Sequence, residues 1–171
     1  MRFCQIDRIT ELEPGQKLQA VRGLALNEAY LQDHFPKFPV MPGVLMLESM
    51  YQAAMWLVLV SENFQYSTVV MRNVNNVKFN DFVEPGKQLV VSVDWKSRDG
   101  EQIQVVTSGM IDGKRAVRAR LTLDRYNMAD RNQTPPNVDR LLIRMRRKEL
   151  FRLLDPRSET SRQILESGDL N

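Results

Sequence analysis

Hydrophobic residues change their spacing twice along this chain. Residues 3–12 and 17–26 are predicted as two strands, because the turn Glu13-Pro14-Gly15-Gln16 separates them. Residues 44–60 are then apolar on nearly every helical face, which is typical of a helix at the centre of a fold. Between these segments Asn27 is predicted as the N-cap of a short turn.

From residue 68 the hydrophobic period becomes two, which predicts further strands. Turn signals interrupt them at residues 84–87, residues 97–100 and the two-residue hairpin Asp112-Gly113. The last strand places Val117, Ala119, Leu121 and Leu123 on one face. Two strands, a helix and about four antiparallel strands predict an α+β domain in which a sheet wraps a helix.

The composition changes after this sheet. Residues 128–136 are polar and predicted as a linker, and residues 139–155 form a predicted basic amphipathic helix. A last short helix is predicted over residues 158–166. We therefore divide the chain into a domain of residues 1–127 and a linker with a C-terminal helical extension, residues 128–171. Packing within an oligomer is the first expectation for the extension, with a membrane surface or a carrier protein as alternatives.

Composition excludes several classes of protein. A net charge of +3 with a pI near 9.2 is too weak to indicate nucleic acid. One cysteine and one histidine predict neither an internal disulfide nor a metal site. Residues 44–60 are shorter than the roughly 20 residues of a membrane span and contain Glu48, so no span is predicted. The N-terminus has no apolar signal segment, and a cytoplasmic location is expected.

The histidine, His34, stands at the head of a proline-rich loop that leads into the apolar helix carrying Glu48. Histidine titrates near neutral pH, and an apolar helix favours a carboxyl group that keeps its proton. The pair therefore suggests acid–base chemistry. A surface histidine and a structural carboxylate are the alternatives, although no Lys or Arg lies between Val44 and Val60 to neutralise Glu48.

These residues belong to a longer motif, His34-Phe35-Pro36-x-x-Pro39-Val40-Met41-Pro42-Gly43-Val44-Leu45-x-x-Glu48-x-x-x-Gln52. With Val77-Lys78-Phe79 and Val83-x-Pro85-Gly86-Lys87-Gln88-Leu89, it resembles the β-hydroxyacyl-[acyl carrier protein] dehydratases of the FabZ type. The resemblance covers roughly residues 3–125. It differs where Asp33 precedes the histidine, a position that is usually Gly, and where Lys37 stands at another position that is often Gly.

The resemblance implies a hotdog fold and a lyase that dehydrates (3R)-hydroxyacyl-[acyl carrier protein] in fatty acid or related lipid synthesis. His34 and Glu48 are then the catalytic pair, contributed by different subunits of a dimer or a trimer of dimers. The expected substrate-binding residues are Gly43, Val44, Val40, Phe35 and Gln52. Gln52 is also one helical turn beyond Glu48 and is expected to orient its carboxyl group. No cofactor is expected, because the substrate is carried on the phosphopantetheine arm of the acyl carrier protein.

Two other functions stay open at the level of sequence. A hotdog hydrolase or hydratase would use Glu48 to activate water, and a non-catalytic scaffold would use the basic extension to hold a partner. The exposed strand face with Lys114, Arg118 and Arg120 is either solvated surface or a dock for an acidic carrier protein.

Overall fold

The structure is a computed structural model that describes residues 3–132, 134–159, 162 and 164. The six strands are β1 (Arg8–Glu13), β2 (Lys17–Gly23), β3 (Thr68–Phe79), β4 (Gln88–Asp99), β5 (Gln102–Ile111) and β6 (Lys114–Tyr126). The helices are α1 (Gly43–Ser61), α2 (Met128–Asn132) and α3 (Pro136–Leu153), with a 3₁₀ turn over Ala29–Gln32. The predicted helix over residues 158–166 lies largely outside the described residues.

All six strands form one antiparallel sheet in the order β1-β2-β4-β5-β6-β3. The sheet wraps around α1, which contacts all six strands. This arrangement explains why the helix is apolar on nearly every face, since Val44 is the one largely exposed residue of α1. The predicted hotdog architecture, a central helix inside an antiparallel sheet, is confirmed.

The central helix α1 is also long and apolar enough to cross a membrane, judged by length and composition alone. More than half of it is buried inside the fold, with Met50, Ala53 and Leu57 fully enclosed. Its place at the centre of the core accounts for its composition.

The predicted turns lie where the sequence places them. Gly15 and Gly86 have φ angles of +71° and +85°, a left-handed region in which glycine has no steric penalty. Asp112 and Gly113 both have positive φ and connect the pair Ile111 and Lys114 in a tight hairpin. The four residues predicted to share one face of β6 are all buried.

The N-terminal strand begins later than predicted, at Arg8 rather than residue 3. The preceding residues lie along α1, because the side chain of Gln52 bonds to their backbone. Its Oε1 accepts the N–H of Gln5 at 2.8 Å, and its Nε2 donates to the carbonyl of Phe3 at 3.0 Å. The sheet hydrogen bonds that a strand needs are thus replaced by contacts with the helix.

Two other local predictions are wrong. Asn27 does not cap the short turn, which begins at Ala29 after Glu28, and Glu28 forms an ion pair with Arg22. The segment of residues 128–136, predicted as a linker, contains the helix α2. Asp139 stabilises the start of that helix, because its carboxylate accepts the N–H groups of Met128 at 2.8 Å and Ala129 at 3.0 Å. This acceptor follows the helix in sequence, so a search for a preceding cap could not find it.

The helix α3 starts at Pro136, three residues before the prediction, and ends against the sheet. Leu150, Leu153 and Leu154 join the hydrophobic core. Leu154 forms a parallel bridge with Ile9, and the N–H of Asp155 donates to the carbonyl of Ile9 at 2.9 Å. The extension therefore covers the edge of β1. Its Leu141, Met145 and Phe151 remain at least 40% exposed, so their burial in an oligomer stays a prediction.

Replacing Asp155 with Asn is expected to lower the thermal unfolding midpoint at neutral pH. The guanidinium and backbone N–H of Arg157 hold the pKa of Asp155 at about 2, below its ordinary value of 3.8, and Arg8 adds to the effect. This carboxylate therefore stabilises the fold above pH 4, and the stabilisation is lost as pH falls toward 2.

The difference in midpoint between wild type and Asp155→Asn should consequently shrink between pH 4 and pH 2, as followed by circular dichroism. Asp94→Asn, which removes an exposed carboxylate from β4, is the matched control. A difference that stays constant through this range would contradict the assignment of the stabilisation to the ionised carboxylate.

Candidate functional site

His34 follows the 3₁₀ turn and is half-buried. Its backbone N–H donates to the carbonyl of Tyr30 at 3.0 Å, and its ring Nδ1 lies 3.1 Å from the carbonyl oxygen of Val40. A carbonyl can only accept, so the proton of a neutral ring belongs on Nδ1. The other ring nitrogen, Nε2, then carries a lone pair and can accept a proton.

The loop around His34 is held from both sides. The N–H of Phe38 donates to the carbonyl of Phe35 at 2.8 Å, and the N–H of Met41 donates to the carbonyl of Val83 at 2.9 Å. Phe35 adopts a φ of +52°, an unusual value for a side chain of this size, and its ring lies 4.5 Å from the imidazole. These contacts hold the loop and the Phe35 ring in place around the imidazole.

A cavity of about 230 Å³ opens beside His34. Gly43 reaches it from the first position of α1, where a helix leaves its backbone N–H without an acceptor in the helix. A Cβ at this position would lie 3.1 Å from the ring of Phe79, so glycine permits the close packing here. The cavity is lined by His34, Phe35, Met41, Gly43, Met46, Phe79, Asp81 and Phe82.

Glu48 faces a different cavity, of about 250 Å³. Gln52, one turn further along α1, donates from Nε2 to the carboxylate of Glu48 at 2.8 Å. This is the hydrogen bond that the spacing predicts. Because Gln52 also bonds to Gln5 and Phe3, it is fixed itself and can orient the carboxyl group. The lining is Phe3, Cys4, Glu48, Tyr51, Gln52, Met55, Trp56, Arg146 and Glu149.

Three polar residues of this cavity were missed from the sequence: Tyr51, Arg146 and Glu149. Burial raises the pKa of Tyr51, the charge of Glu48 raises it further, and Arg146 acts in the opposite direction. The Tyr51 hydroxyl donates to the carbonyl of Val69 at 2.8 Å. Tyr51 could have been found from its i+3 spacing to Glu48, whereas Arg146 comes from α3 and carries no local signal.

Within the described residues of one protomer, His34 and Glu48 therefore lie on separate cavities, and no residue lines both. Gly43 and Phe35 line the His34 cavity, and Gln52 lies next to Glu48 in the other cavity. Val44 is 72% exposed next to Gly43. Val40 is fully buried, and its carbonyl, rather than its side chain, serves the site by holding the imidazole.

The two unusual loop residues do not contact the imidazole through polar groups. In the portion of the chain that the structure describes, no hydrogen bond or ion pair joins Asp33 or Lys37 to His34, and both are exposed. The same portion contains no group of three His, Cys, Asp or Glu residues placed to hold a metal ion.

Gln52→Ala is expected to lower kcat for the dehydration that the resemblance implies by up to about 10²-fold, because Glu48 loses the partner that orients it. It should also reduce the free energy of unfolding by about 1–3 kcal/mol, since the buried N–H of Gln5 loses its acceptor. Steady-state kinetics and urea unfolding measure the two effects. Ser49→Ala is the control, because this buried hydroxyl donates to the carbonyl of Leu45 within α1 and, among the described residues, to no group of the site. Equal kcat in both variants would contradict the positioning role.

The family of the chain follows from comparison with known proteins. A model of the FabA-like domain matches residues 1–120. The chain is a member of the FabA-like family. Within the family it is 39% identical over 117 residues to the 3-hydroxyacyl-[acyl-carrier-protein] dehydratase FabZ of Pediococcus pentosaceus, covering 68% of this chain and 78% of that protein. It is 35% identical over 112 residues to the FabZ of Caldicellulosiruptor bescii, covering 66% and 80%.

Solved structures agree on the fold of this FabA-like chain. The dehydratase heterocomplex ApeI:P from Xenorhabdus doucetiae matches with a TM-score of 0.53 at 19% identity, over 67% of this chain and 93% of that one. A Streptococcus mutans protein bound to acetyl CoA matches with a TM-score of 0.58 at 12% identity, over 74% and 93%. At these identities the likeness supports the hotdog fold alone.

Proposed function

We propose that this FabA-like protein is a lyase that dehydrates (3R)-hydroxyacyl-[acyl carrier protein] to trans-2-enoyl-[acyl carrier protein] in fatty acid or related lipid synthesis. The observation that carries the proposal is the hydrogen bond from Nδ1 of His34 to Val40, which leaves Nε2 as a base. Gly43, the first residue of α1, lines the same cavity, and a helix does not use the backbone N–H at that position for its own hydrogen bonds. A base and a donor for a developing oxyanion are what removal of an α-proton requires.

The reaction follows from these groups. Nε2 of His34 takes the proton from the α-carbon, and the backbone N–H of Gly43 stabilises the negative charge that develops on the thioester carbonyl oxygen. Electrons from the broken C–H bond form the α,β double bond as the β-hydroxyl group leaves. Glu48, oriented by Gln52, donates the proton with which the hydroxyl departs as water.

The separation of His34 and Glu48 supports a site shared between two copies of the chain. Within the described residues β3 pairs only with β6, so its other edge is open to a second sheet. Large apolar side chains are exposed at and beside the His34 cavity, as expected for a surface that a second copy covers. They are Phe35, Phe38, Val44, Phe79 and Phe82. A dimer is the minimum, and a trimer of dimers is compatible with it.

A basic region on the outer face of the sheet supports an acidic carrier protein as the partner. Lys78, Arg118 and Arg120 line a shallow cavity of about 340 Å³ on strands β3 and β6. Such a surface steers acidic partners through complementary charge. The phosphopantetheine arm belongs to the carrier, and the proposal gives the enzyme no cofactor of its own. The cytoplasmic location stays a prediction.

Mass analysis of the products tests the proposed function. Purified protein is incubated with (3R)-hydroxyacyl-carrier substrates of graded length, and a product lighter by one water supports dehydration. Release of free acid and carrier thiol would instead indicate a hydrolase. No turnover together with capture of a stable partner through the extension would indicate a scaffold.

A further inference from the structure

The cavity lined by Glu48 continues from α1 toward α3. A second cavity of about 320 Å³ adjoins it, lined by Phe3, Leu142, Met145, Arg146 and Glu149. Phe3, Arg146 and Glu149 line both cavities, so the junction between the two is made by these three residues. The outer cavity would not exist without α3, which supplies four of its five lining residues.

The helix α3 is well enough anchored to form a wall. Leu150 and Leu153 are buried in the core, and the guanidinium of Arg146 lies 5.8 Å from the ring centroid of Trp56. The residues that face the cavities are spaced three or four apart and share one side of the helix. They are Leu142, Met145, Arg146 and Glu149.

The junction between the cavities carries a pair of opposite charges, and apolar side chains lie on either side of it. Nη1 of Arg146 lies 3.2 Å from Oε2 of Glu149, with 39% and 13% of the side chains exposed. Met55 and Trp56 lie on the Glu48 side, and Leu142 and Met145 lie on the far side. An apolar chain crossing between these regions would remove water from the ion pair, and that desolvation opposes the gain from burying methylene groups.

We propose that α3 forms the far wall of the acyl-binding site, an inference that rests on the proposed function. In this site the Arg146–Glu149 pair limits the length of the acyl chain. Chains that end at the pair bind against Phe3, Met55 and Trp56 without disturbing it. Longer chains must desolvate it to reach the outer cavity. Since α3 lies outside residues 1–120 that match the FabA-like model, this limit is a property of the extension.

The double variant Arg146→Met/Glu149→Gln tests the limit, because it removes both charges of the pair together. We expect the ratio of kcat/KM for long chains over short chains to rise, by up to about fourfold for each methylene that enters the outer cavity. Arg144→Met, an exposed position on α3 that lines neither cavity, is the matched control and should keep the wild-type ratio. Met145→Trp added to the double variant should narrow the outer cavity and reduce the gain.

An unchanged length profile in the folded double variant would overturn the proposal. If that double variant does not fold, Arg146→Gln/Glu149→Gln removes both charges and keeps two polar side chains that can hydrogen-bond to each other. It is expected to shift the ratio in the same direction by less, and an unchanged ratio would again overturn the proposal. Binding provides a readout independent of catalysis. Saturated acyl-pantetheines of graded length can be titrated against the fluorescence of Trp56 in a Trp95→Phe background.

The two failures can be told apart by these measurements. Wild-type protein that forms no enoyl product at any length contradicts the proposed function. The binding series then decides the inference by itself: tighter binding of long chains by the double variant supports a length limit at the pair, and equal binding contradicts it.

Discussion

Replacing His34 with Ala is expected to lower kcat for dehydration by about 10²–10⁴-fold, the usual contribution of a positioned general base. The physical reason lies in the two ring nitrogens. Nδ1 is committed to the carbonyl of Val40, so Nε2 is the atom that can take the α-proton, and alanine provides neither. The loss should appear mainly in kcat, because the acyl chain still binds through other contacts.

His34→Asn separates chemistry from loop structure. The amide nitrogen of Asn can donate to the carbonyl of Val40 in place of Nδ1, but it offers no basic nitrogen toward the cavity. His34→Ala and His34→Asn should therefore lose similar amounts of dehydration activity. Only His34→Ala also loses the hydrogen bond to the carbonyl of Val40, which contributes about 1 kcal/mol to the free energy of unfolding. Lys37→Ala, an exposed change in the same loop, is the control for kinetics. Near-wild-type turnover by His34→Asn would remove His34 from the mechanism.

Much of the fold could be predicted because its signals are local. The period of two in the strands, the Pro-Gly turns and the evenly apolar helix α1 each follow from neighbouring residues. The errors occur where a distant group determines the local structure. The side chain of Gln52 draws residues 3–5 away from the sheet, and the carboxylate of Asp139 caps a helix that precedes it.

In the candidate site, too, contacts between neighbouring residues could be predicted from the sequence, whereas contacts with distant segments could not. The bond between Gln52 and Glu48 joins residues four apart on one helix, so spacing was enough to predict it. The carbonyl of Val40 as the partner of His34 depends on the path of the proline-rich loop, which spacing does not specify. Arg146 reaches the Glu48 cavity only because α3 packs on the core, and no pattern near Glu48 indicates it.

Paired substitutions in two different chains are expected to show whether the site is shared between subunits. His34→Ala and Glu48→Gln should each be inactive as homodimers. A heterodimer of the two, purified through different affinity tags, would contain one site with both substitutions and one with neither. It should therefore recover about half of the wild-type activity per dimer, because two-fold symmetry gives two sites and one is intact.

The reciprocal heterodimer makes the test decisive. A chain carrying both His34→Ala and Glu48→Gln, paired with a wild-type chain, would place one substitution in each shared site and should be nearly inactive. If each site instead lay within one chain, the outcomes would be exchanged: this dimer would keep about half of the activity and the first heterodimer would have none. The separate cavities of His34 and Glu48 in the protomer lead us to expect the first pattern.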